Sequence, residues 1–349
     1  MSTIHSVLEQ ESIEASAPCR IDMGGTLDLS TFFLPLHHLQ PCTFNAALDL
    51  RTTVRLRSHT KGRIKISSRG FDSLEVKSAQ APFNNPLGLM FAVASYFQAD
   101  GVHIEIDSAS PPRSALGGSS VAAVALIWAF SKALAKKDGR AMPAPDSVAL
   151  LAHAIEQSVA GVPCGQQDQL AAVFGGVNAW HWTGDPSGLP YKRQIVVPDA
   201  ECAGFDRRLL VAYGGIPHES KDINGTWVRQ FVSGEYRDTW ERIVDCGRRF
   251  IAALTAGSFR EACAMMNLET DLRRQLTPDV LDELGSELVA AARSSHCGAR
   301  FTGAGGGGCL WALGRPDQIL TLRPVWERIL EQRESATILD TCVDTLGLL

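Results

Sequence analysis

The sequence predicts an α+β protein built from two domains. At 349 residues, the chain is longer than a single hydrophobic core usually needs. Apolar and polar residues alternate over 44–58 and again over 62–77, which predicts strands near the N-terminus. A stretch rich in Gly and Pro from Trp182 to Pro190 interrupts the chain, so we expect domains at residues 1–185 and 186–349.

Helices are predicted on both sides of that boundary from the spacing of apolar residues. The segment 121–136 is apolar on every face, which is typical of a helix buried in the core. Asp146 is a favourable N-cap for the next helix, which would carry Glu156 near its end. Further helices are predicted over 86–97, 224–254, 258–273 and 278–295, and further strands over 209–213, 298–302 and 309–313.

Composition and charge exclude several classes of protein. The 33 basic and 38 acidic residues are dispersed and give a formal net charge of -5, so no basic stripe indicates a nucleic-acid partner. The apolar run around 121–130 is too short and too rich in Ala to span a bilayer, and residues 1–16 lack the features of a signal peptide. We therefore expect a cytoplasmic protein with no membrane partner.

The cysteines do not form a metal site or a disulfide framework. There are nine of them, an odd number, and no Cys-x-x-Cys or Cys-His cluster has metal-ligand spacing. We expect reduced thiols that mostly serve packing.

A turn of small residues precedes the buried helix and reads PPRSALGGSS over 111–120. Free backbone N–H groups at a helix N-terminus, together with the helix dipole, suit a bound phosphate. The alternative is an ordinary N-cap on a core helix. The turn therefore indicates a nucleotide ligand only together with other segments.

The segment EQSVAGVPCGQQDQLAAVFGG over 156–176 provides a second signal. Its Gly and Pro residues break the helix that carries Glu156, and Asp168 follows in a polar run. A loop of this kind can direct a carboxylate into a cleft. Asp168 is therefore a candidate catalytic residue.

A third signal is the glycine run FTGAGGGGC over 301–309, where no side chain would keep phosphates from the backbone. Gly303, Gly305 and Gly308 match the dinucleotide-binding pattern, but that pattern needs a helix after it, and the next residues predict a strand. No GxxxxGK[ST] motif occurs, which excludes a P-loop kinase.

Together with APCRIDMGGTLD over 17–28, these segments resemble, in order, the motifs of the GHMP kinases, the superfamily of galactokinase, homoserine kinase, mevalonate kinase and phosphomevalonate kinase. Glu156, the VPCG of 162–165 and Asp168 resemble the galactokinase signature, while the RID of 20–22 and the glycines of 303–308 resemble heptose-phosphate and fucose kinases. The resemblance implies a ribosomal protein S5 domain 2-like N-terminal domain and a ferredoxin-like α+β C-terminal domain, with the active site in the cleft between them.

The resemblance also implies ATP and Mg²⁺ as cofactors, and it assigns roles to residues. Asp168 would accept the proton of the substrate hydroxyl, and Arg20 beside it would keep the carboxylate ionised. The alternative for this pair is a structural salt bridge. Ser119 and Glu156 would bind magnesium. The nucleotide-binding residues would be Pro112, Leu116, Gly117, Gly118, Ser119, Ser120, Gly305 and Gly306.

The implied substrate is a small-molecule sugar. The family's Thr-Asp pair is interrupted here by Leu27, so we expect a remodelled sugar-binding turn. A second loop, after the strand predicted over 209–213, would also reach the sugar. Candidate substrate-binding residues are Asp22, Asp28, Tyr213 and His218.

Three functions remain open at this stage. The favoured one is an ATP-dependent kinase that phosphorylates the anomeric hydroxyl of a sugar or sugar phosphate. A catalytically silent sugar and ATP sensor would not need the intact set of Arg20, Ser119, Glu156 and Asp168. A kinase of a non-sugar alcohol, such as a mevalonate-like acid, would need basic residues for the carboxylate. The identity of the sugar and the oligomeric state do not follow from the sequence.

Overall fold

The computed structural model describes residues 4–161, 163–185, 188–217 and 223–349. The strands are β1 (Ile13–Met23), β2 (Cys42–Ser58), β3 (Arg63–Ser68), β4 (Phe71–Lys77), β5 (Val102–Ser108), β6 (Val177–Trp182), β7 (Tyr191–Val197), β8 (Leu209–Tyr213), β9 (Gly298–Phe301), β10 (Cys309–Leu313) and β11 (Thr337–Leu339). The α-helices are α1 (His5–Leu8), α2 (Ser30–Phe33), α3 (Gly88–Tyr96), α4 (Gly118–Asp138), α5 (Pro145–Ala160), α6 (Gln167–Phe174), α7 (Cys202–Asp206), α8 (Ile223–Val232), α9 (Arg237–Thr255), α10 (Phe259–Leu276), α11 (Glu283–Ser294) and α12 (Pro316–Leu330).

The first domain is organised around the long strand β2. One edge of β2 pairs antiparallel with β1, and the other pairs with β6 at its start and with β5 at its end. The sheet continues from β5 through β3 to β4, and from β6 to β7. A bulge lies between Pro18 and Cys19 of β1. Arg20 follows directly after this bulge, a feature that can re-aim neighbouring side chains.

Helix α4 packs against β1 and β2 and forms the core of this domain. It is long and apolar enough to span a bilayer, but most of it is buried inside the protein. Its burial confirms the expectation from its all-round apolar character. The flanking helices α3, α5 and α6 pack against it.

The second domain has an antiparallel sheet in the order β11, β8, β10, β9. Helices α10 and α11 pack against β9, while α12 packs against β8 and β11. The glycine run joins β9 to β10, so it lies in a strand-loop-strand connection and not at the start of a helix. The predicted two-domain α+β fold is therefore confirmed.

The structure corrects several local predictions. Helix α5 begins at Pro145 with Ala144 at the N-cap, and Asp146 accepts a hydrogen bond from the Tyr191 hydroxyl (2.6 Å) instead of capping the helix. A turn at 233–236 interrupts the predicted helix 224–254, with positive φ at Gly234 and Tyr236. The predicted helix 278–295 starts only at Glu283.

The first sheet also extends past residue 185, because β7 pairs with β6. A strand that completes this sheet belongs to the first domain. We propose that the boundary between the domains lies after Val197.

Candidate active site

A cavity of about 420 Å³ lies between the two domains. The first domain contributes candidate residues such as Arg20, Ser119 and Asp168, and the second contributes Asn224 and Gly303. The motifs that are far apart in sequence therefore meet at one cleft. This volume is in the range of small-molecule sites.

The N-terminus of α4 opens onto this cavity. Gly117 stands at the N-cap with φ of 83°, a left-handed conformation that favours glycine. A Cβ on Gly117 would also lie 3.1 Å from the Asp168 carboxyl carbon, so glycine lets the two elements approach. Gly118 and Ser119 follow and are exposed to the cavity. Their backbone N–H groups can bind an anion there.

Glu156 lies behind this helix terminus. Its Oε2 accepts hydrogen bonds from Ser120 Oγ (2.7 Å) and Gln169 Nε2 (2.6 Å). Burial raises the pKa of Glu156 to about 7, and the nearby Asp168 charge adds to that effect. A buried carboxylate of this kind is stabilised in its ionised form by a cation.

The donor set at this position fits magnesium. Ser119 and Glu156 offer hard oxygen atoms, which Mg²⁺ prefers, and Mg²⁺ usually keeps several waters and takes substrate phosphates as further ligands. Across the described part of the chain, no group of three or more His, Cys, Asp or Glu side chains could hold a metal by itself. A cation here would therefore depend on the phosphates of a nucleotide.

Asp168 and Arg20 form a close ion pair at the cavity wall. Arg20 Nε donates to Asp168 Oδ1 at 2.7 Å, and Arg20 Nη2 lies 2.7 Å from the same oxygen. The Arg20 side chain is 4% exposed and that of Asp168 is 22% exposed. The Asp168 carboxylate is therefore the more accessible partner at the cavity, and the more deeply buried Arg20 guanidinium contacts it. Burial opposes the charge of Arg20, but Asp168 and Asp22 outweigh it and raise its pKa.

The turn with the inserted leucine lies beside this pair. Thr26 adopts φ of 72°, and Leu27 is buried in the core, which leaves Thr26 and Asp28 to line the cavity. Asp28 accepts a hydrogen bond from the Gln167 backbone N–H (3.1 Å). Burial raises the pKa of Asp28 to about 6.

Several predicted residues lie away from the cavity. Asp22 is fully buried, and both its carboxylate oxygens contact protein groups. Tyr213 pairs with β10 and β11 inside the second sheet. Leu116 is buried in the core, and Ser120 binds Glu156. His218 lies outside the described residues, as does Val162 of the VPCG segment.

The glycine loop contacts the cavity through Gly303 and Ala304, not through Gly305 and Gly306. The Gly305 N–H donates to Thr302 O (3.2 Å), and the Gly306 N–H donates to Val280 O (3.0 Å). These two N–H groups are therefore committed within the second domain. They are not oriented toward a phosphate in this structure.

Sequence reasoning missed other cavity-lining residues because they come from strands, loops and the start of α8, which are far apart in the chain. Asn224 accepts a hydrogen bond from Thr26 Oγ1 (3.3 Å) across the two domains. A second group lies around the end of β5, next to the PPRS segment. It comprises Ser68, Arg69, Phe71, Ile106, Ser108 and Ser110. No motif marks these residues in the sequence.

The α4 N-terminus and the Asp168–Arg20 pair lie in one cleft between two α+β domains, an arrangement that suits the binding of a phosphate donor and a small acceptor. The family comparison makes the assignment specific. A model of the GHMP kinases N terminal domain matches residues 86–176, and a model of the GHMP kinases C terminal region matches residues 250–331. The chain belongs to the GHMP kinase family.

Curated relatives include kinases of two substrate types. A mevalonate kinase from Thermococcus sibiricus is 27% identical over 298 residues, covering 77% of this chain and 81% of that protein. A galactokinase from Roseiflexus sp. is 27% identical over 324 residues, covering 80% of each. The solved structure of Lactococcus lactis galactokinase complexed with galactose aligns with a TM-score of 0.72 at 17% identity over 100% of both chains, so it shares the fold.

The family assignment defines the general activity. GHMP kinases transfer a phosphate from ATP, usually with Mg²⁺, to an alcohol group of a small molecule. This chain is therefore an ATP-dependent small-molecule kinase.

Proposed function

We propose that the protein phosphorylates the anomeric hydroxyl of a sugar or sugar phosphate. The observation that carries this proposal is the pairing of Asp168 with Arg20 next to the α4 N-terminus, with Thr26, Asp28 and Asn224 also lining the cavity. A phosphate donor and a polyhydroxylated acceptor would thus both find suitable groups in one cleft.

Asp168 orients the acceptor hydroxyl and takes its proton. The Arg20 guanidinium holds the Asp168 carboxylate in place through two N–O contacts of 2.7 Å. An anomeric hydroxyl is more acidic than an ordinary alcohol, so a positioned carboxylate can accept its proton. Phosphoryl transfer through a loose transition state mainly needs such positioning and charge stabilisation.

The donor side is held by the start of α4. Backbone N–H groups at Gly117, Gly118 and Ser119 bind the phosphates of ATP, with the helix dipole adding to the attraction. The Ser119 hydroxyl and the Glu156 carboxylate would hold magnesium, which supplies neutralisation of the phosphate charge. Pro112 contributes to the cavity wall on the same side.

The acceptor side favours a sugar over a carboxylic acid. Among the described residues that line the cavity, the cationic side chains are Arg20, Arg69 and Arg113. Arg20 already contacts two aspartates, and Arg69 lies at the β5 side, where it donates to Ser108 O (3.1 Å). Near Asp168 the acceptor meets Asp28, which would repel a carboxylate and accept sugar hydroxyls.

The second candidate is a kinase of a mevalonate-like hydroxy acid. The specific observation in its favour is the similarity to mevalonate kinases over 77% of the chain. This candidate requires a cationic group for the acid; Arg20 is engaged by two aspartates, so Arg69 or Arg113 on the cavity wall would have to supply it.

A substrate panel distinguishes the two. The protein is incubated with ATP, Mg²⁺ and, separately, galactose, fucose, arabinose, mannose, heptose 7-phosphate and mevalonate. The position of the new phosphate is then read from phosphorus–proton coupling. We expect a glycosyl 1-phosphate; turnover of mevalonate alone, or transfer to a primary hydroxyl, would contradict the proposal.

A further inference from the structure

A row of buried charged side chains continues from the catalytic pair into the second domain. Its members alternate in sign and contact one another in sequence. They are Asp168, Arg20, Asp22, Arg300, Glu269 and Arg273. Asp168 and Arg20 line the cavity, whereas the side chains of Asp22, Glu269, Arg273 and Arg300 are 0% exposed.

Asp22 is the link between the two domains. Its Oδ1 lies 3.3 Å from Arg20 Nη1 and accepts a hydrogen bond from the Gly303 N–H at 2.7 Å. Its Oδ2 lies 3.0 Å from Arg300 Nη1. Asp22 therefore competes with Asp168 for Arg20, and Arg300 offsets that competition by neutralising the Asp22 charge.

Arg300 is held in place from the second domain. Its Nε donates to Glu269 Oε2 at 2.8 Å, and its Nη1 also donates to Phe301 O at 2.6 Å. Burial alone would raise the pKa of Glu269, yet the guanidiniums of Arg300 and Arg273 outweigh burial and lower it. Glu269 thus remains a carboxylate that fixes both guanidiniums.

Arg273 anchors the far end of the row. Its Nε donates to Glu269 Oε1 at 2.9 Å, and its guanidinium lies 4.7 Å from the ring centroid of Trp227 and 4.8 Å from that of Trp240. Its Nη2 donates to the Gly25 carbonyl at 2.5 Å, directly before the Thr26–Asp28 turn. The row therefore lines the cavity at Arg20 and contacts, through Arg273, the residue that precedes the Thr26–Asp28 turn.

We propose that Arg300 and Glu269 are positioning residues for the kinase reaction, acting through Asp22 on the orientation of Arg20 and therefore of Asp168. The geometry of the Asp168–Arg20 pair then depends on how the second domain packs against the first. This inference rests on the proposed role of Asp168.

A double-mutant cycle tests it. Arg300→Lys keeps the charge but lacks the planar fork that contacts Glu269 and Asp22 together. We expect this variant to lower kcat by roughly 5- to 50-fold, in the range of coupled neighbouring sites, while the Kd for ATP changes less than twofold. In an Asp168→Asn background, the same substitution should change kcat less than twofold, because the group it positions is gone. Arg323→Lys on α12, with a partly exposed side chain, is the matched control and should leave kcat unchanged.

The outcomes separate the inference from the function it rests on. Near wild-type kcat in Asp168→Asn alone would overturn the proposed role of Asp168 and this inference with it. If Asp168→Asn lowers turnover as expected but Arg300→Lys lowers kcat by the same factor in both backgrounds, the inference alone is wrong. It is also wrong alone if Arg300→Lys raises the Kd for ATP by the same factor by which it lowers kcat. If Arg300→Lys does not fold, Glu269→Gln, which keeps the shape of the side chain, replaces it in the same cycle with the same expected pattern.

Discussion

Asp168 is the residue on which the proposed chemistry depends most. Asp168→Asn removes the proton acceptor but keeps the shape of the side chain. We expect turnover to fall by roughly 10² to 10⁴, the range for loss of a positioned acid–base group. The Kd for ATP should remain nearly unchanged in calorimetry. Asp238→Asn, an exposed position on α9, is the control, and equal turnover in the two variants would rule out the assignment.

Glu156 is predicted to act through magnesium. Glu156→Gln replaces a carboxylate with a neutral amide, a poorer ligand for a hard cation. The Mg²⁺ concentration for half-maximal rate should rise on the order of tenfold, the scale of changes around metal ligands. A magnesium titration that matches wild type, and matches exposed Glu331→Gln, would show that Glu156 serves packing alone.

Asp28 combines a proposed binding role with a stability cost. Burial raises its pKa to about 6, so the folded protein binds this proton more tightly than the unfolded chain does. The associated stability is fully present below about pH 4, the unfolded pKa, and is lost as pH rises through 6. Asp28→Asn should therefore stabilise the protein at pH 8 by about 1–3 kcal/mol, with little effect at pH 4.

Thermal unfolding at the two pH values measures this difference. The same variant should raise the KM for the acceptor, since the amide accepts fewer sugar hydroxyls than the carboxylate. A variant that is less stable than wild type at pH 8 would contradict the predicted stability cost of burying Asp28. A KM that does not change would contradict the assignment of Asp28 to the acceptor side of the cavity.

The glycine loop between β9 and β10 is an element whose shape is set by packing. Gly305 has φ of 78°, and a Cβ there would lie 2.6 Å from Val280 O and 2.9 Å from Phe301 Cδ2. Gly308 has φ of 84°, and its Cβ would lie 2.6 Å from Ser114 O. The loop therefore needs glycine to contact both the second domain and the PPRSALGGSS turn.

Gly305→Val should consequently destabilise the fold. Positive φ disfavours a β-branched residue, and the added atoms overlap the backbone of Val280. We expect a loss of about 2–4 kcal/mol in the free energy of unfolding. In Gly118→Ala the new Cβ meets nothing within 4 Å, so its stability should match wild type. A Gly305→Val protein with normal stability and weak ATP binding would instead favour a direct phosphate contact.

The C-terminal segment runs from the second sheet to the first, because residues after β11 pair with β2. Residues 342–344 lie along β2 at Ala47–Asp49, between the stretches that pair with β6 and β5. Arg51 forms an ion pair with Asp344 and donates to the Gly347 carbonyl (2.6 Å). The long strand β2 therefore has partners from the start, middle and end of the chain.

Asp344→Asn should weaken this connection. It leaves the largely buried Arg51 without its anionic partner, which costs roughly 1–3 kcal/mol. Asp340→Asn, whose carboxylate is 86% exposed, should not change thermal unfolding. Equal melting temperatures for the two variants would show that the C-terminal segment contributes little to stability.

The sequence by itself determined the class of protein. Short-range signals were sufficient for this, because an apolar run predicts α4, alternation predicts β3 and β4, and the motifs resemble those of one kinase family in order. In the structure, Arg20, Ser119 and Asp168 line one cavity and Glu156 contacts Ser120 beside it; the roles of these residues stay predictions.

Only the tertiary structure decided which residues of each motif reach the cleft. Asp22 lies near the end of β1 and Asp28 only six positions later in the turn that follows, yet Asp22 is enclosed by Arg300 and Gly303 while Asp28 lines the cavity. In the glycine run, likewise, Gly303 and Ala304 line the cavity while Gly305 is buried against Val280. The physical reason is that each of these outcomes depends on contacts between side chains more than one hundred residues apart or on backbone φ values, and neither leaves a periodic trace in the sequence.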